Sequence, residues 1–166
     1  MSAITIVVGN PKRASRTRTV AEAVAMRAGE ALALPRFTDD DVVELADLGP
    51  SLFDWASADV RQRADQLSAS RLAVIATPIY KATYTGLLKS FLDWFGQTGL
   101  SGVTAIPVMV GAGSQHALAV EVHLRPLLVE IGARVPTRGV FVRDDELDEL
   151  DATLDAWAEH ALGYLV

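Results

Sequence analysis

The chain has 166 residues, of which half are apolar, with a formal net charge of −6 and no cysteine. This length suffices for one well-buried α/β domain and is too short for two, so we expect a single domain over residues 1–166. The lack of cysteine excludes disulfides, thiolate zinc sites and thiol catalysis. The acidity argues against a general nucleic-acid-binding protein, which needs a broad basic face.

No secretory signal pattern precedes Ile4, and no apolar run approaches the roughly 20 residues needed to cross a bilayer. We therefore expect a cytoplasmic protein that makes no membrane contact.

The first predicted strand covers residues 4–8, an apolar and β-branched run typical of a buried parallel strand. A loop with hydroxyl and basic side chains follows and leads into a helix, where free backbone N–H groups and the helix dipole favour anions. Four of the fifteen Lys and Arg residues of the chain lie here within seven positions: Lys12, Arg13, Arg16 and Arg18.

This loop matches neither G-x-x-x-x-G-K-[ST] nor G-x-G-x-x-G, which excludes a Walker-type triphosphate site and weakens a dinucleotide site. The pattern that remains is a monophosphate cradle. Its donors would be Asn10, Ser15 and Thr17, with Arg13 or Arg16 as the charge. The alternative is a solvated basic turn before an ordinary helix, and the loop alone leaves both open.

The next elements continue an alternation of helices and strands. Residues 15–32 have the apolar spacing of a helix, residues 41–47 form a short strand with a polar end suited to a sheet edge, and residues 60–70 form a second helix. In the loop between them, Phe53 and Trp55 are expected to anchor the chain in the core, with a ligand cleft as the alternative.

A third, strongly buried strand is predicted at residues 71–77, and a loop with Pro78, Tyr80 and Tyr84 leaves its carboxyl end. The helix that follows, residues 87–95, is apolar on nearly every side. A helix of this kind needs more than one partner, so we expect it to face both the core and a second copy of the chain.

Two prolines interrupt the last part of the pattern. Pro107 lies within a predicted strand over residues 103–110, where a missing N–H predicts a local bulge. After a Gly-Ala-Gly-Ser loop, a helix over residues 115–132 contains Pro126, which removes the bond to the Val122 carbonyl and should kink or bulge the helix. A last strand at 134–142 and an amphipathic helix from residue 146 complete the pattern.

This order is β-α five times over, which predicts a parallel sheet with helices on both faces. Ligands of such sheets bind at the carboxyl ends of the strands, near the switch in strand order. With the strand order 2-1-3-4-5, the loops after the first, third and fourth strands are neighbours. Together they could hold a phosphate and a flat aromatic ring.

Several motifs resemble those of the flavodoxin-like NAD(P)H-dependent FMN reductases, in particular the reductases that supply reduced flavin to alkanesulfonate-type monooxygenases. Residues 9–17 resemble the phosphate loop G-S-P-R-x-x-S-R-S of this family, with Asn10 in place of a serine. Residues 76–82 are similar to its flavin-ring loop A-T-P-[IV]-Y-K-A. Further similarities are those of residues 84–89 to Y-[ST]-G-x-L-K, of residues 107–114 to P-x-x-x-G-G-[ST], and of residues 120–126 to V-[DE]-x-x-L-[KR]-P.

The resemblance implies a flavodoxin-like fold and hydride transfer from NADPH or NADH to FMN, a reaction whose chemistry the cofactors carry. It implies that Asn10, Arg13, Ser15, Arg16 and Thr17 hold the phosphate. The residues expected around the flavin ring are Pro78, Ile79, Tyr80, Lys81, Gly111, Ala112, Gly113 and Ser114.

The resemblance also implies a homo-oligomer, dimer or tetramer, and a partner monooxygenase. Two other functions stay open: a reductase of quinones, azo dyes or metal ions that keeps its FMN, and a flavodoxin-type electron carrier. In the alkanesulfonate reductases a tyrosine marks a one-residue π-type insertion in the fourth helix. Here Val122 and His123 stand at that place, so the insertion is either present without the tyrosine or absent.

Overall fold

A computed structural model, which describes residues 3–165, contains one sheet of five parallel strands in the order β2-β1-β3-β4-β5. The strands are β1 (Ile4–Val8), β2 (Val42–Glu44), β3 (Leu72–Pro78), β4 (Thr104–Gly111) and β5 (Val140–Arg143). The helices are α1 (Arg16–Ala31), α2 (Ala58–Ser68), α3 (Gly86–Leu92), a π-helix (Val120–Leu124), α4 (Arg125–Glu130) and α5 (Leu150–Ala161). The predicted flavodoxin-like fold, strand order and parallel pairing are confirmed.

Helices cover both faces of the sheet, because the central strands are apolar on both sides. Every residue of β1 and β3 is buried. One face packs against α1 and α5, and the other packs against α2, α3, the π-helix and α4. None of the helices in the described part of the chain is long and apolar enough to cross a membrane.

Several predicted elements are longer than the observed ones: the fourth helix, for example, is predicted from residue 115 and begins at Val120. The second strand is only Val42–Glu44 and is wholly buried, because the chain turns into a 3-10 helix, Leu45–Asp47, that directs Leu45 into the core. The third helix ends at Leu92. The last strand begins at Val140, and only a single bridge at Arg134 remains of its predicted first half.

The expected anchoring of the loop by Phe53 and Trp55 is wrong. These side chains are 73% and 61% exposed, whereas Leu52 between β2 and α2 is buried. The Leu52 carbonyl also accepts a hydrogen bond of 3.0 Å from the Trp94 indole. Leu52 therefore anchors the loop, and its neighbouring aromatic rings face outward.

Pro107 is accommodated without the predicted bulge, because β4 pairs with β3 in an unbroken register. Ala105, two residues earlier, donates its N–H to the Arg134 carbonyl on the β5 side at 2.8 Å. The alternation of a strand points the nitrogen of Pro107 to the same side. Since β5 begins only at Val140, this nitrogen faces the gap between Arg134 and β5, where a proline costs no ladder bond.

The predicted disruption of the fourth helix by Pro126 is confirmed, and the open question about a π-type insertion is answered. Residues Val120–Leu124 form a π-helix, in which the N–H of Arg125 bonds to the Val120 carbonyl five residues earlier. Pro126 lies in the first turn of α4, directly after it. The insertion is thus present without the tyrosine, and Val122 and His123 point outward within it.

A pair of charged side chains holds the segment that precedes β5. Arg125 donates to the carbonyls of Val135 (2.7 Å) and Thr137 (2.5 Å), and the Glu121 carboxylate accepts the N–H of Gly139 (2.7 Å). Arg125 and Glu121 also form an ion pair with each other. The pair thus supplies backbone partners that the sheet does not offer here.

We expect Glu121→Gln to lower the free energy of unfolding at neutral pH by about 1–2 kcal/mol, because a charge-assisted bond to backbone and guanidinium is lost at a partly exposed site. The Arg125 guanidinium and, more weakly, the Gly139 N–H hold the pKa of Glu121 below its ordinary value. The stabilisation is therefore complete above the ordinary glutamate pKa of about 4.3 and is lost as the pH falls through the lowered value.

Urea unfolding at several pH values measures this effect. The difference in stability between wild type and Glu121→Gln should narrow in acid, whereas Glu130→Gln, a change of an exposed residue at the end of α4, should leave stability unchanged at every pH. An equal loss in both variants would contradict the role of Glu121.

Candidate functional site

The loops that follow β1, β3 and β4 border one cavity of ≈ 590 Å³ at the carboxyl edge of the sheet. It receives nine of the thirteen residues that the sequence analysis assigns to the flavin site: Asn10, Ser15, Arg16, Thr17, Pro78, Ile79, Tyr80, Gly111 and Ala112. Four others do not line it: Arg13, Lys81, Gly113 and Ser114. The structure thus brings together residues that lie about a hundred positions apart.

The first loop is shaped by its own side chains. The Asn10 amide donates to Thr17 Oγ1 at 3.0 Å and accepts the N–H of Lys12 at 2.9 Å. Ser15 caps α1 by accepting the N–H of Arg18. These bonds close the loop around the amino end of a 16-residue helix whose first turn has no acidic residue, an arrangement that favours an anion.

A buried glutamate supports this loop from beneath. Ala14 has a left-handed backbone with φ of +46°, and its N–H donates to Glu44 Oε1 at 3.1 Å. Glu44 ends β2 and is 8% exposed. The carboxylate at the sheet edge therefore fixes a backbone conformation that alanine adopts only at a cost.

The arginines of the loop are not all directed at the cavity. Arg13 forms an ion pair with Asp47 on the outside of the loop. Arg18 bonds to Glu22 (2.7 Å) and Asp39 (2.5 Å), and the bond to Glu22 in particular raises its pKa. Of the two residues proposed as the charge of the cradle, only Arg16 reaches the cavity.

The second loop is a tight reverse turn. Tyr80 and Thr83 exchange two backbone hydrogen bonds of 2.9 and 3.2 Å around Lys81 and Ala82, whose φ angles are +51° and +66°. Two consecutive positive φ values define a type I′ turn, which usually contains Asn and Gly. The turn directs Tyr80, which is 50% exposed, over the cavity and leaves Lys81 at its outer tip.

The third loop approaches the second closely. The N–H of Ile79 donates to the Val110 carbonyl at 2.8 Å. A Cβ on Gly111 would lie 3.0 Å from Ile79 and 3.1 Å from Phe141, so the glycine allows this close approach. Gly113 and Ser114 continue into a 3-10 helix, Ser114–His116, away from the cavity.

Sequence reasoning missed three lining residues, Ala14, Val110 and Asp144, and it named Lys12 among the basic residues of the first loop without assigning it to the cradle. Asp144 directly follows β5, so its place after a neighbouring strand end could have indicated it. Among the lining residues, the helix terminus and Arg16 suit a phosphate, and the edges of the second and third loops suit a flat ring. The lining residues can bind and orient such a ligand, and the chemical reactivity of the site would come from the ligand itself.

Comparisons with known proteins agree with this description. Residues 2–148 match the sequence profile of a family described as NADPH-dependent FMN reductase. The chain is 29% identical over 150 residues to an FMN reductase (NADPH) of Pseudomonas aeruginosa, covering 87% of this chain and 78% of the relative. It is 28% identical over 153 residues to the NADH-dependent FMN reductase SfnF of Pseudomonas putida, covering 88% and 80%.

Two solved structures are similar over almost the entire chain. The apo form of an NADH:FMN oxidoreductase (EMOB) superposes with a TM-score of 0.74 at 30% identity, covering 97% of this chain and 90% of the other. An oxidoreductase from Corynebacterium diphtheriae superposes with a TM-score of 0.83 at 26% identity, covering 99% and 96%.

We expect Ala82→Gly to raise the free energy of unfolding by about 1 kcal/mol. Relief of the left-handed backbone, about 1–2 kcal/mol, exceeds the cost of about 0.5–1 kcal/mol that glycine adds through the unfolded chain. Denaturant unfolding measures the difference. Ala56→Gly, in an exposed turn with negative φ, should destabilise the protein; stabilisation by both glycines would contradict the strain at Ala82.

Proposed function

Because the chain belongs to the family of NADPH-dependent FMN reductases, we propose that it transfers hydride from NADPH or NADH to FMN at the carboxyl edge of the sheet. The observation that carries the proposal is the meeting of the first, second and third loops at one cavity, within the matched residues. We take the whole chain to act as one domain. A nicotinamide nucleotide is a cytoplasmic metabolite, so the cytoplasm is the proposed compartment.

The cavity residues fit FMN. The backbone N–H groups at the start of α1, the hydroxyls of Ser15 and Thr17, and the Arg16 guanidinium would bind the phosphate. The loop at Pro78–Tyr80 and the backbone of Gly111 and Ala112 would hold the ring. FMN, when bound, supplies the hydride-accepting chemistry, and the chain orients it and shields one side of it from water.

Arg13, Lys81, Gly113 and Ser114 stay predictions as ligands of FMN. Arg13 is held by Asp47, and Lys81 lies at the outer tip of its turn, so these two would contribute mainly to the shape of the loops. The relatives include proteins named for NADPH and for NADH, and we leave the donor as either nucleotide.

We further propose that reduced FMN leaves the protein for a partner monooxygenase. The cavity is a wide cleft at the protein surface, and the Arg16 side chain within it is 65% exposed. An exposed phosphate contact of this kind is weaker than a buried one, which favours exchange of the flavin.

We propose that two copies of the chain associate through the surface around α3. The residues that make the contact differ from those expected from the sequence. The core buries Leu88, Phe91 and Leu92, so these side chains do not contact a second copy. The exposed apolar side chains next to this helix are Phe53 and Trp55. The Trp55 ring lies 5.0 Å from the ring of Trp94. Exposed aromatic side chains of this kind are enriched in protein interfaces.

We expect Arg16→Ala to weaken FMN binding by about 10–100-fold and riboflavin binding by less than about twofold, because only FMN offers a phosphate to the guanidinium. Flavin fluorescence titration measures both constants. Arg13→Ala removes a cation that Asp47 already holds, and should change FMN binding much less. Equal loss of the two flavins in Arg16→Ala would contradict the placement of the phosphate.

Turnover tests the reaction itself. NADPH or NADH should be oxidised in proportion to FMN added to flavin-free protein. Oxidation that occurs only with a quinone and a retained yellow flavin would instead support the resident-FMN reductase. Binding of FMN without oxidation of either nucleotide would support the electron carrier.

We expect Phe53→Ser to lower the mass of the protein in solution, because it removes an apolar side chain from the proposed contact between copies. Light scattering after size exclusion measures the mass. Tyr164→Ser removes a ring of 70% exposure elsewhere on the surface and should leave the mass unchanged. An oligomer that survives Phe53→Ser but dissociates in Val122→Ser would place the contact at the π-helix instead.

A further inference from the structure

The three arginines of the phosphate loop, Arg13, Arg16 and Arg18, have acidic partners within the chain, and these partners lie in two different places. Arg13 is held by Asp47 and Arg18 by Glu22 and Asp39, all of them outside the cavity. These cations are therefore neutralised whether or not a ligand is bound.

Arg16 has a different kind of partner. Its NH1 group lies 3.7 Å from Oδ2 of Asp144, and both side chains line the cavity. The contact is a single long one between side chains that are 65% and 40% exposed, so it stabilises little and can open easily.

The backbone places Asp144 at this point with little freedom. Its N–H donates to the Gly111 carbonyl at 3.0 Å, which extends the pairing of β5 with β4 by one residue. The two acids that follow, Asp145 and Glu146, are bound by Arg143 at 2.6 and 2.8 Å. Within this acidic triplet, Asp144 is the carboxylate directed at the cavity.

We propose that Asp144 is the counter-ion of Arg16 and competes with the phosphate of FMN for it, so that the carboxylate sets how readily the flavin leaves. This inference rests on the proposed function. A phosphate that binds Arg16 displaces Asp144 or shares the guanidinium with it, and in both cases it lies near the negative charge of this carboxylate. Both effects lower the affinity for FMN. The affinity for riboflavin, which has no phosphate, is unaffected.

Asp144→Asn tests the inference, because it removes the charge and retains the size and the backbone hydrogen bond. We expect the dissociation constant for FMN to fall about three- to tenfold, mostly through slower dissociation, and that for riboflavin to change less than about twofold. The gain should shrink at 1 M salt, where charges on exposed groups are screened. Fluorescence titration and stopped-flow displacement of FMN measure these quantities.

Asp145→Asn is the matched control, since it changes the net charge equally but removes an acid that Arg143 holds away from the cavity. It should leave both flavins unaffected. Three results would overturn the counter-ion role: an equal gain in FMN affinity in both variants, an equal gain in affinity for FMN and riboflavin in Asp144→Asn, or no gain in FMN affinity in Asp144→Asn.

These results are separable from a failure of the proposed function. If the wild-type protein reduces FMN and Asp144→Asn binds it no more tightly, only the counter-ion role is lost. If the wild-type protein binds neither FMN nor riboflavin, the proposed function fails, and the role of Asp144 fails with it.

Discussion

The cavity depends on one buried hydroxyl that joins its first two loops. Thr85 Oγ1 donates to the Gly9 carbonyl at 2.6 Å, although the two residues are 76 positions apart. The same oxygen caps α3 by accepting the N–H of Leu88, and the N–H of Thr85 donates to Thr77 Oγ1 at the end of β3. Since both threonines are almost fully buried, these bonds are shielded from water and fix how far the loops stand apart.

Gly9 belongs to the same constraint. A Cβ at this position would lie 2.7 Å from the Cβ of Leu88, so only a glycine lets the end of β1 pass this close to α3. Its N–H also extends the pairing with β3 by donating to the Ala76 carbonyl at 2.7 Å. Backbone contacts therefore fix the point at which the phosphate loop leaves the sheet. This in turn fixes the position from which its polar side chains extend.

The fold could be predicted from the alternation of apolar runs, and much of the site from the loops after three strands. What escaped the sequence depends on contacts between distant segments. Glu121 and Arg125 have the spacing of an ordinary helical ion pair, and nothing local shows that they bind the backbone before β5. Pro107 predicts a bulge from the sequence, because the gap between Arg134 and β5, where its nitrogen needs no partner, is visible only in the tertiary structure. Asp144 is one of three adjacent acids, and only tertiary structure separates it from the two that Arg143 binds.

Backbone strain in the described residues is concentrated around the cavity. Four residues other than glycine have positive φ, and three of them, Ala14, Lys81 and Ala82, lie in the loops that border it. The fourth, Ala33, lies two residues after the end of α1, where a left-handed residue is common. Each strained residue costs about 1–2 kcal/mol, which the Glu44 carboxylate and the paired backbone bonds of the Tyr80 turn must offset during folding. Because these bonds are made within the chain, they shape the loops independently of a ligand and reduce the cost of shaping them on binding. In the proposed role of Asp144, the affinity for FMN is then adjusted by the charge of one carboxylate beside Arg16.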